Sequence, residues 1–167
     1  MGTVREGWVG RFFEDFQVGD IYRSRLGRTI TETDNIQFTM ITNNTNQVHF
    51  NSDYASRTEF KKPLVNSALT LSVIAGLGVS DISENGFALG WDYIKLPNPV
   101  FAGDTLYSES EVLSARESKS RPKEGIVKVR TTGLNQDGKV VIEYERSVMV
   151  WKRAHAPRTN MFPKRAS

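Results

Sequence analysis

The order of apolar and polar residues divides the chain into a helical first half and a strand-rich second half. In the last predicted strand, residues 139–151, apolar residues alternate at period 2. The sequence Asn135-Gln-Asp-Gly138 predicts a hairpin turn between the last two strands. The predicted strands cover residues 21–30, 87–96, 105–113, 126–132 and 139–151, and the predicted helices begin near Thr31, Ser52 and Ser67.

One predicted helix has apolar residues pointing in almost every direction. It follows Asn66 and Ser67, which are residue types that favour the helix N-cap, and it runs to about Val79. Apolar residues on all sides are typical of a buried helix. Together with the long strands, this helix predicts an α+β fold in which a curved antiparallel sheet wraps around a central buried helix. The open sheet edge predicts a homodimer, with Trp91 in the core or at the dimer contact.

The composition is that of a single globular domain. The 167 residues are 38% hydrophobic and 25% charged, which is enough for one core. The lack of cysteine excludes disulfides, a thiolate nucleophile and a cysteine-ligated metal. His49 and His155 are the two histidines, so we expect no metal site that needs several histidines on one chain.

The apolar segments are short or interrupted. The first ten residues lack the apolar stretch of a secretory signal. Residues 64–79 are the most apolar stretch, but polar and glycine residues keep it below the ~18 apolar residues that a membrane span needs. We therefore expect a cytoplasmic protein without a membrane segment.

The positive charge is concentrated near the C-terminus. Five of the 22 lysines and arginines lie in residues 152–167, and the remaining 17 are outnumbered by 19 acidic residues. A body that binds nucleic acid would carry a basic stripe, so we expect no nucleic-acid partner. We assign residues 1–153 to one domain and residues 154–167 to a basic tail. The tail is expected to be a solvated terminus or a contact to a partner subunit or a phosphate.

His49 lies at the end of a polar loop, residues 42–49, that is rich in asparagine. An imidazole with a pKa of about 6.5 can accept and return a proton near neutral pH. His49 is therefore either a general base or a hydrogen-bonded loop histidine. The unpaired first amides of the helix that begins near Ser67 either stabilise an enolate formed from a thioester carbonyl or belong only to a capped, buried helix.

These segments resemble the MaoC-like hydratases, a family of hot-dog-fold enoyl thioester hydratases and dehydratases. The usual motif is approximately Ser/Thr-Gly-Asp-x-Asn-Pro-x-His, and the chain has Thr42-Asn-Asn-Thr-Asn-Gln-Val-His49. Pro63-Leu-Val-Asn-Ser67 resembles the approach to the central helix of that family. The resemblance extends over residues 12–152. The segments 63–69 and 117–122 are most similar to a branch resembling mesaconyl-CoA and methylmalyl-CoA dehydratases.

The resemblance implies a hot-dog homodimer that adds water to an enoyl-CoA or removes it. His49 and the residue at position 44 would bind the reacting water, and the amide of Ser67 would hold the thioester oxygen. The catalytic Asp of the family is Asn44 here, and an asparagine can orient water but cannot become an acid. Proton transfer then falls to His49 alone or to a carboxylate that folding brings near it. The candidate carboxylates are Asp34, Asp53 and Glu59.

Further substrate contacts are assigned to polar and basic side chains. Asn46 and Asn66 are expected to touch the substrate. Lys119 and Arg121 are expected to hold the phosphates of coenzyme A, unless they form only a solvated basic turn. The resemblance implies no cofactor apart from the coenzyme A of the substrate.

Two alternatives to hydration remain open. A hot-dog thioesterase commonly uses a carboxylate near the central helix, and residues 64–79 contain none, which disfavours that activity. Asn44 would also be compatible with a catalytically weakened subunit that only binds acyl thioesters. For a hydratase, the acyl group is expected to be an enoyl group, with a branched or dicarboxylic group such as mesaconyl as one option.

Overall fold

The computed structural model describes residues 2–5, 7–157 and 162–163, and within them the helices precede the long strands, as the pattern predicts. Most of the predicted elements are recovered with small shifts of their ends. The elements are β1 (Ile21–Arg23), β2 (Arg28–Thr29), α1 (Glu32–Ile41), α2 (Ser52–Ser56), α3 (Ser67–Leu77), β3 (Gly86–Lys95), β4 (Thr105–Glu117), β5 (Glu124–Leu134) and β6 (Val140–Trp151), with 3₁₀ turns at Phe13–Asp15, Gln47–His49 and Arg153–His155 and a π-helical turn at Val79–Ser83.

The strands form one antiparallel sheet in the order β1-β4-β5-β6-β3, with β2 pairing with β4 next to β1. The sheet is open, and β3 is its edge beside β6. Register shifts in β3 after Ala88 and after Trp91 are β-bulges, which bend a strand and increase its twist. The structure therefore confirms the predicted curved antiparallel sheet.

Helix α3 packs across one face of this sheet, which we call the inner face. Ile74 is fully buried there together with Ile142 of β6. A Cβ added to Gly133 of β5 would lie 2.8 Å from Ile74 and 2.6 Å from Ile142. The lack of a side chain at Gly133 therefore lets the helix approach the backbone of the sheet closely.

Burial of α3 on all sides, which its composition predicts, is not found within one chain. The side away from the sheet exposes Ala68, Ser72 and Gly76, because the sheet covers only one side of the helix. Small residues on that side leave room for another surface. The central position of the helix against the sheet agrees with the prediction.

Two predicted elements have different bounds for local reasons. The predicted strand over residues 21–30 is divided into β1 and β2, because the chain turns between them and Ser24 Oγ donates to the carbonyl oxygen of Leu26 at 3.1 Å. The helix predicted to begin near Ser52 has five residues and ends at Ser56. Helix α1 begins as expected: Thr31 Oγ1 accepts from Asp34 N at 3.1 Å, and Asp34 Oδ2 accepts from Thr31 N at 2.8 Å.

The first basic residues of the C-terminal segment are tied to the domain. Lys152 Nζ lies 2.8 Å from a carboxylate oxygen of Glu117, and Arg153 pairs with Asp15 at 2.6 Å. The basic residues of the predicted tail, residues 154–167, are Arg158, Lys164 and Arg165, and they lie outside the described residues. None of the described helices has the length and apolarity that crossing a membrane requires.

Candidate functional site

His49 ends a 3₁₀ turn that asparagine side chains hold in place. Asn44 Oδ1 accepts from Asn46 N at 3.0 Å, and Asn46 Oδ1 accepts from Val48 N at 3.2 Å. His49 N donates to Asn46 O at 3.2 Å. His49 is 9% exposed, so its ring borders the surface without being turned out into bulk solvent.

The hydrogen bond of the His49 ring determines which nitrogen carries the proton. Its Nδ1 lies 2.8 Å from the carbonyl oxygen of Leu64. Because a carbonyl oxygen only accepts, Nδ1 is the protonated nitrogen and Nε2 keeps its lone pair. Nε2 has no hydrogen-bond partner among the described residues. The ring therefore offers the free acceptor that a general base needs.

Asn35 of α1 connects the histidine turn to the start of α3, a role that the sequence analysis missed. Its side chain is 3% exposed. Nδ2 donates to the carbonyl oxygens of His49 and Leu64, and Oδ1 accepts from the backbone amide of Asn66. No local pattern marks Asn35, because its three partners lie 14 to 31 positions further along the chain.

Helix α3 begins at Ser67, and the amide of Ser67 remains available. Asn66 caps the helix, since its Oδ1 accepts from Ala68 N at 3.0 Å. Ser67 is exposed, and its amide has no acceptor among the described residues. An unpaired amide at a helix N-terminus favours a negatively charged oxygen. Asn66 is 4% exposed and its amide oxygen is already engaged, so its direct contact with a substrate stays a prediction.

The loop before His49 needs a residue that tolerates left-handed backbone. Asn43 has a φ of 51°, a conformation that favours glycine but that asparagine adopts more readily than most residues. This explains why asparagine can stand at position 43, where the motif of the MaoC-like hydratases has glycine. Asn44 is half-buried, with its side-chain oxygen bound to Asn46 N. The NH₂ group of Asn44 has no partner among the described residues and can donate to a water.

Of the three candidate carboxylates, two are paired with other residues and the third is exposed. Asp34 caps α1, and hydrogen bonds from Thr31 lower the pKa of Asp34 below its ordinary value. Asp53 pairs with Arg57 at 2.5 Å on the exposed surface. Glu59 is exposed and makes no hydrogen bond or ion pair with a described residue. Among these candidates, His49 is the one whose ring is hydrogen-bonded to the segment that leads into α3, through the carbonyl oxygen of Leu64.

Lys119 and Arg121 lie in the turn between β4 and β5. This turn is at the end of the sheet next to Trp151, whereas the start of α3 packs near Val141 at the other end. Arg121 also donates to Glu124 at 3.0 Å, and its guanidinium lies 5.3 Å from the centre of the Phe87 ring. Within one chain these two side chains are thus separated from His49, and their contact with phosphates stays a prediction.

A groove of about 870 Å³ lies along the second half of α3, beside Gly76 and Leu77. Its lining includes Arg11, Arg23, Arg25 and Arg28. All of these except Arg25 form ion pairs with carboxylates of the described residues. Val73 is the first residue of α3 in the lining, six positions after Ser67, so the groove begins ~9 Å along the helix from the amide of Ser67.

Known proteins with similar sequences are hydratases and dehydratases. Residues 3–161 match the family model described as mesaconyl-CoA hydratase. The β-methylmalyl-CoA dehydratase of Chloroflexus aurantiacus is 36% identical over 154 residues, which are 90% of this chain and 44% of that protein. An (R)-specific enoyl-CoA hydratase of Rhodospirillum rubrum is 32% identical over 83% of this chain and 91% of that protein. The chain thus spans less than half the length of the first relative and most of the second.

Solved structures show the same fold. A putative MaoC domain protein dehydratase of Chloroflexus aurantiacus J-10-fl has a TM-score of 0.84 at 34% identity, over 96% of this chain and 46% of that chain. A Mycobacterium tuberculosis protein described as having a double hotdog fold has a TM-score of 0.78 at 22% identity, over 86% of this chain and 44% of that one. The expected hot-dog fold is therefore confirmed.

Proposed function

Since the chain belongs to the mesaconyl-CoA hydratase family, we propose that it adds water to the α,β double bond of an enoyl-CoA, or removes it in the reverse direction. The resemblance to MaoC-like hydratases of the mesaconyl-CoA and methylmalyl-CoA branch is confirmed. The observation that carries the proposal is the Leu64 carbonyl that holds Nδ1 of His49 and leaves Nε2 free.

The proposed reaction uses His49 for both proton transfers. Nε2 accepts a proton from water while the water oxygen bonds to the β-carbon. The electrons of the double bond move onto the thioester oxygen, where the amide of Ser67 stabilises the enolate. The imidazolium then gives its proton to the α-carbon and the carbonyl reforms. One water is consumed, and the ring returns to its starting state.

Asn44 is proposed to orient the water, without titrating. Its NH₂ group can donate to the water oxygen, while its carbonyl oxygen stays bound to Asn46 N. An asparagine cannot release or accept a proton in this range of pH. The catalytic proton therefore resides on His49, and Asn44 lowers the barrier by positioning.

A homodimer is proposed through the β3 edge. Phe87, Leu89, Trp91 and Ile94 are 42–48% exposed there, and an exposed apolar edge strand is a surface that proteins usually cover. The exposure of Trp91 excludes the core position and leaves the dimer contact. In this dimer, β3 of one copy would pair antiparallel with β3 of the other about a two-fold axis. The pairing would continue the sheet and bury these side chains. A cytoplasmic location and the lack of a separate cofactor stay predictions.

The arginine-lined groove is proposed to take the phosphates of coenzyme A. Arg25 has no acidic partner among the described residues, and arginine binds phosphate through several donors at once. The groove follows the helix whose first amide would hold the thioester. Lys119 and Arg121 are the second candidate, because a partner subunit could bring their turn near the site.

Hydration, thioester hydrolysis and binding without turnover can be separated in one assay. The protein is mixed with crotonyl-CoA, mesaconyl-CoA and 3-hydroxyacyl-CoA, while the absorbance of the conjugated thioester is followed and a thiol reagent monitors free coenzyme A. A hydratase changes the absorbance without releasing thiol. Thiol release would instead establish the thioesterase. Calorimetric binding without either signal would establish a binding subunit.

A further inference from the structure

Arg146 is a buried cation without a counter-ion in the described part of the chain. It lies on β6 and is 4% exposed. Its Nε has no hydrogen-bond partner, and no carboxylate of a described residue pairs with its guanidinium. Burial accordingly lowers the pKa of Arg146. A buried charge without a partner is strongly unfavourable, so its presence needs a reason other than stability.

The acidic residues of the same strand cannot serve Arg146, because they point to the other face. Glu145 lies on the outer face, where it pairs with Lys128 and Arg130, each at 2.9 Å. Glu143 accepts from the Tyr93 hydroxyl at 2.8 Å. The acidic side chains on the outer face of β6 thus pair with other residues of that face. The guanidinium of Arg146 lies on the opposite face, the one that carries α3.

Arg146 belongs to a polar strip on the otherwise apolar inner face. It is paired in register with Val129 of β5 and Trp91 of β3. The next inner position of β6 is Tyr144, whose buried hydroxyl faces Thr131 without a hydrogen bond of ordinary geometry. Thr131 in turn shares a 2.8 Å hydrogen bond with Ser110. The strip therefore offers hydroxyl groups and one cation at the centre of the sheet.

This strip lies on the face of the sheet against which the start of α3 packs. Tyr144 packs in the same cluster as Val65 and Leu69, the apolar residues on either side of the start of α3. Arg146 follows two residues later on the same face, about 7 Å along the strand. Trp91, the neighbour of Arg146 on the edge strand, is 44% exposed. The guanidinium thus lies next to the edge through which the homodimer is proposed to form.

We propose that Arg146 binds the free carboxylate of the acyl group, so that the protein selects short dicarboxylic acyl-CoA esters. The inference rests on the proposed function and specifies its substrate class. A guanidinium holds a carboxylate through two parallel hydrogen bonds. The acyl groups in the names of the matched family and of the Chloroflexus relative, mesaconyl and β-methylmalyl, both carry such a carboxylate. A monocarboxylic acyl group would leave the buried cation unpaired and would be disfavoured.

The test compares two saturated thioesters that cannot be hydrated, succinyl-CoA and butyryl-CoA, by calorimetric binding to the full chain. The wild type is expected to bind succinyl-CoA more tightly. Arg146→Met is expected to weaken succinyl-CoA binding roughly 10- to 100-fold, the range for a charge-assisted hydrogen bond, and to leave butyryl-CoA binding unchanged. Arg146→Lys should restore part of the loss. Arg130→Met, the same change on the outer face of β5, is the matched control and should alter neither.

The melting temperature of the ligand-free variants separates the loss of a substrate contact from damage to the fold. Replacing an unpaired buried cation by methionine is expected to keep or raise the melting temperature. Unchanged succinyl-CoA binding in Arg146→Met would overturn the inference. Equal weakening of both esters, with a lower melting temperature or a changed oligomeric state, would also overturn it, because Arg146 would then pair within the assembly. Arg146-dependent succinyl-CoA binding without turnover of any enoyl-CoA would uphold the inference and refute the proposed hydratase.

Discussion

Asn35 Oδ1 accepts a hydrogen bond of 2.8 Å from the backbone amide of Asn66, the residue that caps α3. The same side chain donates to the carbonyl oxygens of His49 and Leu64, at 2.8 and 3.1 Å. One buried amide group therefore fixes the position of the histidine turn relative to the amide of Ser67.

Asn35→Ala is expected to destabilise the fold and to lower activity together. It leaves buried groups without partners, each at a cost of about 1–3 kcal/mol, so urea unfolding should show a loss of roughly 2–4 kcal/mol. The value of kcat/KM for an enoyl-CoA should fall about tenfold or more under folding conditions, because the base and the amide are no longer aligned. Gln37→Ala, an exposed change on the same helix, is the control. Equal stability and activity in the two variants would refute the positioning role.

Asn44→Asp tests whether position 44 only orients water. The carboxylate can keep the hydrogen bond from Asn46 N. Because His49 carries both proton transfers in the proposed reaction, kcat/KM is not expected to rise. Asn44→Ala should lower it about tenfold, since the water loses a donor. A rise of about tenfold or more in Asn44→Asp would mean that the chain lacks an acid it needs.

The local part of the site could be predicted from the sequence, and the long-range part could not. The capping types Asn66 and Ser67 and the polar loop that ends at His49 are short-range signals, and the structure places them as expected. Asn35 gave no such signal, because its partners are distant in the chain. The sequence does mark Arg146, because it interrupts the inward apolar positions of β6 between Tyr144 and Val148. Only the folded structure shows that Arg146 is buried and that its Nε has no partner.

Lys119 and Arg121 illustrate the opposite case. Basic residues in a turn are compatible with phosphate binding by composition alone. The register of β4 with β5 fixes their turn beyond Glu117, next to Trp151. Composition carries no information on which end of a sheet a turn occupies, whereas strand pairing does.

Arg25→Ala is expected to weaken the binding of the coenzyme A portion. KM for an enoyl-CoA should rise several-fold, as for the loss of one charge-assisted contact at an exposed site. KM for the matching N-acetylcysteamine thioester, which has no phosphates, should stay unchanged. Arg121→Ala is the comparison, because the second proposed phosphate site depends on it. A KM increase in Arg121→Ala alone would assign the phosphates to the turn between β4 and β5.

The cap of α1 gives the fold a dependence on pH. Hydrogen bonds from Thr31 hold the pKa of Asp34 below its unfolded value, so their stabilisation is present above the unfolded pKa and is lost as pH falls through the folded one. Thr31→Ala should cost about 1 kcal/mol in urea unfolding near pH 7. The difference from wild type should shrink near pH 3. Thr33→Ala, on the exposed surface of the same helix, should show no such dependence; a cost that is constant with pH would contradict the role of the Asp34 carboxylate.

The rate of enoyl-CoA hydration in two histidine variants decides whether His49 is the base. His49→Ala removes the proposed base, whereas His155→Ala removes the exposed histidine at the end of the domain. With equal folding by circular dichroism, His49→Ala should lose about 10²- to 10⁴-fold in kcat, and His155→Ala should match the wild type. Hydration by His49→Ala at the wild-type rate would contradict the claim that Nε2 of His49 is the base.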